Sequence, residues 1–161
     1  MKKEDILNFW FKECEPKQWF NKDHSFDHLL RDRFIDTVDL AFKGKLDKWM
    51  DCANGLLALI IILDQLPRNI FRDTPLAFSG DQKALSLSFF CTKNGYNFHD
   101  DLYRRHFMLI PRMHSEDLKV QNDSLLLFKK LGLGDVYNYA VRHRDIVARF
   151  GRFPHRNSIL G

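Results

Sequence analysis

The chain has 161 residues, 45% of them apolar, and a formal charge of +4 from 25 Lys and Arg against 21 Asp and Glu. That length fits one domain spanning 1–161, with a core large enough to fold without disulfides. The mild charge permits contact with nucleic acid or an anionic surface without arguing for it, and no low-complexity segment, RNA-recognition motif, KH motif or C2H2 pattern is present.

Fifteen Phe, three Trp and four Tyr point to an aromatic core. Cys14, Cys52 and Cys91 are odd in number and far apart, with no CxxC pair. They form neither a disulfide framework nor a thiolate metal site, and they fit a reducing compartment. At the N-terminus, MKKEDILNFWF places Glu4 and Asp5 after its lysines and has too short an apolar run for a secretory signal. The apolar stretch 56–63 is far too short to span a membrane. A soluble cytoplasmic protein without membrane association is expected.

In chain order, 3–11 reads as a short helix with Ile6, Leu7, Trp10 and Phe11 apolar. Residues 14–21 read as a loop, with Trp19 and Phe20 packed down onto the body. The spacing of Phe26, Leu30, Phe34, Val38 and Ala41 predicts an amphipathic helix over 23–42, ended by Gly44. Residues 45–52 make a short turn of helix, and Asn54 is placed to cap the next one.

Residues 56–65 are the most hydrophobic part of the chain. Ile60, Ile61 and Ile62 favour a strand by propensity, but propensity is weak and no second strand exists to pair with. A central helix enclosed by others follows, kinked or ended by Pro67. Residues 71–79 read as a loop, 80–94 as a helix opened by Ser79 and Gln82, and 100–109 as a helix stopped by Pro111. Helices over 115–131 and 135–150 follow, separated by Gly132 and Gly134, and the tail FPHRNSILG looks structured. The fold class is therefore all-α, with seven or eight helices joined by short connections. There is no βαβ pattern and no glycine-rich phosphate loop. Nor is there a clean repeat of a tetratricopeptide consensus.

The segments DQLPRNIFR, MHSEDLKVQ and HRDIVARFGRFPHRNSILG, with NFWF, Trp19-Phe20 and the run 55–65, resemble the DUF924 family of uncharacterised bacterial proteins. The resemblance covers nearly the whole chain, with its motifs in order. It implies a tetratricopeptide-like stack of antiparallel helices and no established catalytic residues. The family's signature positions are matched here by Asp64, Gln65, Pro67, Arg68 and Asn69, by His114, Ser115 and Glu116, and by His143, Arg149, Phe150, Gly151, Arg152, Pro154, His155, Arg156 and Asn157. The position before Met113 is usually aromatic in the family, and here it is Arg112. Family members usually continue past the equivalent of Leu160-Gly161 with an acidic tail containing Thr and Ser, and this chain stops there.

Three constellations are candidates for function. Asp64, Gln65, Arg68, Asn69 and Arg72 follow the apolar run directly. A guanidinium fork suits a carboxylate or phosphate, and an Asp–Arg pair also suits the tying-off of a buried helix end. The second comprises Arg104, His106, Arg112, His114 and Glu116. His114 beside Glu116 makes an oriented base or a helix cap. The third comprises His143, Asp145, Arg149, Arg152, His155, Arg156 and Asn157, the strongest basic patch in the chain. Pro67-Arg68-Asn69 is echoed by Pro154-His155-Arg156-Asn157, which raises the idea that both segments serve one ligand. No histidine spacing is diagnostic of a metal, so neither metal nor cofactor is expected.

The leading functional expectation is a non-catalytic binding or scaffold protein with a polar, arginine-lined pocket for a small anionic ligand or peptide carboxylate. A small hydrolase or transferase using His114 or His155 as base is the alternative from another class. RNA binding through the basic segment 142–156 is a third.

Overall fold

The computed structural model describes residues 1–161, all helix and connection with no strand. Its contacts fall into two compact units, Met1–Ala84 and Leu85–Gly161. Helices α1 (Lys3–Asn8), α2 (Pro16–Phe20), α3 (His24–Phe42), α4 (Ala53–Ile60) and α5 (Leu66–Ile70) lie in the first unit. The unit boundary falls within α6 (Asp81–Lys93). Helices α7 (Leu102–Met113), α8 (Leu118–Leu131), α9 (Gly134–Phe150) and α10 (Asn157–Leu160) lie in the second.

The first unit is built on the run 53–70. Leu56, Leu57, Ala58, Leu59, Ile60, Ile61 and Ile62 are completely buried. A helix apolar all round has no face to give to water, so its neighbours must surround it. Helix α4 packs on α1, and α5 packs on α3. The buried stripe of α3 is Phe26, Leu30, Phe34, Val38 and Ala41, joined by Thr37. Phe9 meets it with ring centroids 6.3 Å from Phe26 and 4.9 Å from Phe34. The expected central helix and amphipathic helix are both present.

Pro67 neither kinks the run to a stop nor ends it. A π-helical turn, Ile61–Gln65, joins α4 to α5, and the backbone stays in the right-handed helical region at Ile61 and Leu66. The wider turn makes room for a proline ring that would otherwise press on the carbonyl of Leu63, four residues back. Pro67 has no N–H, so Leu63 loses its ordinary helical donor. The chain crosses this freed carbonyl closely at Gly80, where an added Cβ would collide with the Leu63 oxygen. Gly55 has the same relation to the Trp49 carbonyl.

Other boundaries depart from the sequence reading for local reasons. Residues 14–21 contain α2, begun by Pro16 at its first turn. Trp19 is buried and donates its indole N–H to Trp10 O at 2.9 Å, whereas Phe20 is exposed. Cys52 rather than Asn54 precedes α4, its Sγ accepting from Gly55 N. Pro111 lies inside α7, which runs on to Met113. Asp117 caps α8, accepting from Lys119 N at 2.9 Å and Val120 N at 3.4 Å, so the helix starts later than Ser115. Counting 53–70 as one, there are nine helices. The excess over the expected number comes from α2 and α10, which form in segments read as loop and tail.

In the second unit, α8 and α9 pack together after a turn through Gly132, whose φ of 82° is the left-handed conformation glycine adopts without strain. Helix α7 packs on α8. The buried Gln121 secures that junction. Its amide donates to Met113 O at 2.8 Å and Ser115 O at 2.6 Å, satisfying the last carbonyl of α7 and one in the connection that follows.

Gly80→Ala should destabilise the protein by roughly 3 kcal/mol, because backbone rather than a mobile side chain blocks the new methyl. Gly132→Ala, which meets no neighbour, should cost only the roughly 1 kcal/mol of a left-handed alanine. Urea unfolding of both variants measures the contrast.

Candidate functional site

In the first unit the charge cluster behind the apolar run is a set of closed pairs. Helix α5 places Arg68 one turn after Asp64, and the guanidinium lies between that helix and the start of α6. Nη1 donates to Asp81 Oδ1 at 2.6 Å and to Asp64 O at 2.8 Å, and Nη2 donates to Asp81 Oδ2 at 2.9 Å. Asp64 is completely buried, and its Oδ2 accepts from Gln65 Nε2 at 2.7 Å. Burial opposes the charge on Arg68, but Asp64 and Asp81 outweigh it and hold its pKa above the ordinary arginine value. Phe78 lies under the guanidinium at 5.4 Å.

One turn on, Arg72 forks onto Asp27 of α3 at 2.6 and 2.9 Å and also bonds Asn69 Oδ1 at 3.0 Å. Arg31 of α3 donates to the Ile70 carbonyl at 3.0 Å. Asp64, Gln65, Arg68 and Asn69 are thus brought together, and their partners Asp81, Asp27 and Arg31 come from other helices. Sequence reasoning missed those partners. Two carboxylates and an arginine among many exposed ones carry no local signal.

The second unit joins two constellations that the sequence kept apart. His114 ends α7, and Glu116 follows it in the connection to α8. Glu116 Oε2 accepts from Phe153 N at 2.6 Å. Arg156 Nη2 donates to His114 O at 3.1 Å, and its Nη1 stands 3.7 Å from Glu116 Oε1. The buried Phe153 ring is the centre of the group. Its centroid lies 5.5 Å from that of His143 and 5.6 Å from that of His155, with the Arg156 guanidinium over it at 4.8 Å. His114, Glu116, His143, His155 and Arg156 therefore share one place.

His143 Nδ1 lies 2.7 Å from Tyr139 O, one turn back on α9. Burial holds its pKa below the ordinary histidine value. The bond to Tyr139 works the other way, and the positive charges of His114, His155 and Arg156 add to the lowering. Arg149, Arg152 and Asn157 are exposed beside this group in sequence, Arg149 against the Phe150 ring at 5.0 Å. The importance of Phe153 was missed, since one Phe among fifteen does not stand out.

Arg112 lies near the end of α7. It is buried without a carboxylate. Nε donates to Ser88 Oγ at 3.2 Å and Nη2 to Thr92 Oγ1 at 2.7 Å, and the guanidinium lies 4.5 Å over the Phe89 ring. Burial lowers its pKa from the ordinary arginine value. Ser88 Oγ in turn donates to Met108 O at 2.7 Å. Burial pushes the Cys14 and Cys91 thiols up to about 12, so neither is a ready nucleophile. No group of three or more His, Cys, Asp or Glu is disposed to hold a metal ion. No helix is long and apolar enough to cross a membrane.

The model of a family described as "Bacterial protein of unknown function (DUF924)" matches residues 6–161. Among solved structures, the protein of unknown function ATU0120 from Agrobacterium tumefaciens is similar to this chain. The two are 40% identical with a TM-score of 0.92, over 98% of this chain and 89% of that one. No curated protein matches.

Arg68→Ala leaves two carboxylates facing each other and should cost about 3 kcal/mol, whereas Asp81→Ala should cost less because Arg68 keeps Asp64. Arg112→Met should stabilise by about 1 kcal/mol, since a buried cation gives way to a side chain of similar length. Ser88→Ala should destabilise by about 2 kcal/mol by stranding the buried Arg112 Nε. Denaturant unfolding of the four variants orders them.

Proposed function

The chain belongs to the bacterial DUF924 family, and on that footing we propose that it is a non-catalytic binding protein whose second unit holds a small anion or peptide carboxylate. The observation that carries this reading is the gathering of His143, His155 and Arg156 around Phe153, with His114 near enough to act on His143. These groups act on His143 as positive charges, and a bound anion would relieve that repulsion. Exposed Arg149 and Arg152, with Asn157, are close in sequence to this group and would be its outer contacts. Glu116 positions the group by bonding Phe153 N and pairing with Arg156.

The Asp64, Gln65, Arg68 and Asn69 cluster has a different task in this reading. Arg68 already has a bidentate carboxylate, so an incoming anion would have to displace Asp81. We assign the cluster to holding α5 against α6 and α3. A tetratricopeptide-like stacking of the helices would suit a scaffold with such a site, and a cytoplasmic location fits its free thiols.

Titration of the protein with inorganic phosphate, followed through the His143 ring by NMR, tests the proposal. Bound phosphate should raise the His143 pKa, because an adjacent anion favours the imidazolium. Changing Arg149 and Arg152 together to Ala should weaken binding about fivefold, as expected for exposed charges. An unmoved His143 titration at saturating phosphate would falsify the reading.

A further inference from the structure

The hydrogen bonding of His143 carries the ligand's chemistry further than its charge. A carbonyl oxygen can only accept, so the 2.7 Å contact with Tyr139 O puts the hydrogen of the neutral ring on Nδ1. Nε2 is then a bare acceptor. It makes no bond to the protein, and the ring is fixed by its edge contact with Phe153 at 5.5 Å. Around it stand the titratable His114 from the end of α7 and, from the segment after α9, the titratable His155 and the cationic Arg156. Glu116 is drawn off by Phe153 N and Arg156. The surroundings call for an anion, while the one imidazole at their centre calls for a donor.

We propose that the site selects an oxyanion that carries its own proton, a monohydrogen phosphate group, over an anion with oxygen acceptors only. Phosphate oxygens face His155 and the arginines, and the phosphate hydroxyl donates to His143 Nε2. A bare carboxylate or a sulfate sets a lone pair against the Nε2 lone pair and loses that bond. The lowered pKa of His143 keeps the ring in its accepting form at neutral pH. The same selection follows whether the phosphate is free or is the end of a phosphorylated metabolite. This rests on the anion-binding reading above and narrows it.

The experiment compares inorganic phosphate with sulfate, which matches the monohydrogen phosphate ion in shape and charge but has no proton. Binding is measured by calorimetry on the full chain, and the His143 Nε2 nitrogen shift is followed in parallel. Phosphate should bind about tenfold more tightly, the value of one acceptor left facing an acceptor. The Nε2 shift should report an accepted hydrogen bond with phosphate and not with sulfate. His143→Phe, which keeps a ring against Phe153, should erase the preference. Lowering the pH through the His143 titration should also narrow it, because Nε2 then becomes a donor. Equal affinities, or a preference unchanged by the substitution or by pH, overturn the proposal and leave anion binding standing. Failure of both ions to bind overturns the anion-binding reading and this one with it. Should the Phe variant not fold, the Nε2 shift of the unaltered protein decides the matter by itself.

Discussion

The first unit depends on a helix that cannot touch water until its last turn. From Leu56 to Ile62 every side chain is buried, so α1 and α3 are placed by the need to cover the run. A run like this gains roughly 1.5–3 kcal/mol for each large side chain enclosed. It creates a difficulty where the chain must turn polar again. Pro67 removes a donor and the π-helical turn rearranges the ladder. The chain resolves this with a glycine crossing at Gly80 and with side chains from other helices. Arg68 binds back to Asp64 O, and Arg31 takes the Ile70 carbonyl. The polar cluster is thus the other half of the apolar helix, where buried carbonyls and carboxylates meet cations.

Charge in the two units is handled differently. In the first, Arg68 and Arg72 each meet an aspartate in a two-bonded fork. In the second, two imidazoles and Arg156 gather about one aromatic ring, and Glu116 divides its oxygens between a backbone N–H and Arg156. Arg112 is held by hydroxyls and a ring alone. Forked pairs in partly buried places give geometric definition. An accumulation of like charge raises the energy of each member and is relieved by an anion. That contrast is why the second unit, rather than the first, is the place to look for a ligand.

Much of the fold was legible because helical periodicity is local. Phe26, Leu30, Phe34, Val38 and Ala41 predict the buried face of α3 with no knowledge of its partner. The unbroken apolar run predicts a surrounded helix. The errors fall at prolines and caps. Pro67 suggests a kink or an end and Pro111 a stop, yet both lie within helical runs. A proline excludes one hydrogen bond and one carbonyl position, and whether a chain bulges around it depends on what packs there.

The sequence by itself determined an all-helical chain, the central position of 56–63 and the residues able to carry charge chemistry. These follow from side-chain type and spacing, which act over a turn or two. Only the tertiary structure decided which charges are neutralised and which are gathered. Asp81 and Asp27 close Arg68 and Arg72 from 13 and 45 residues away. Glu116 reaches Phe153 across 37 residues. Coulomb energy and hydrogen bonding depend on distance in space and on burial, and a one-dimensional chain specifies neither until its helices have packed.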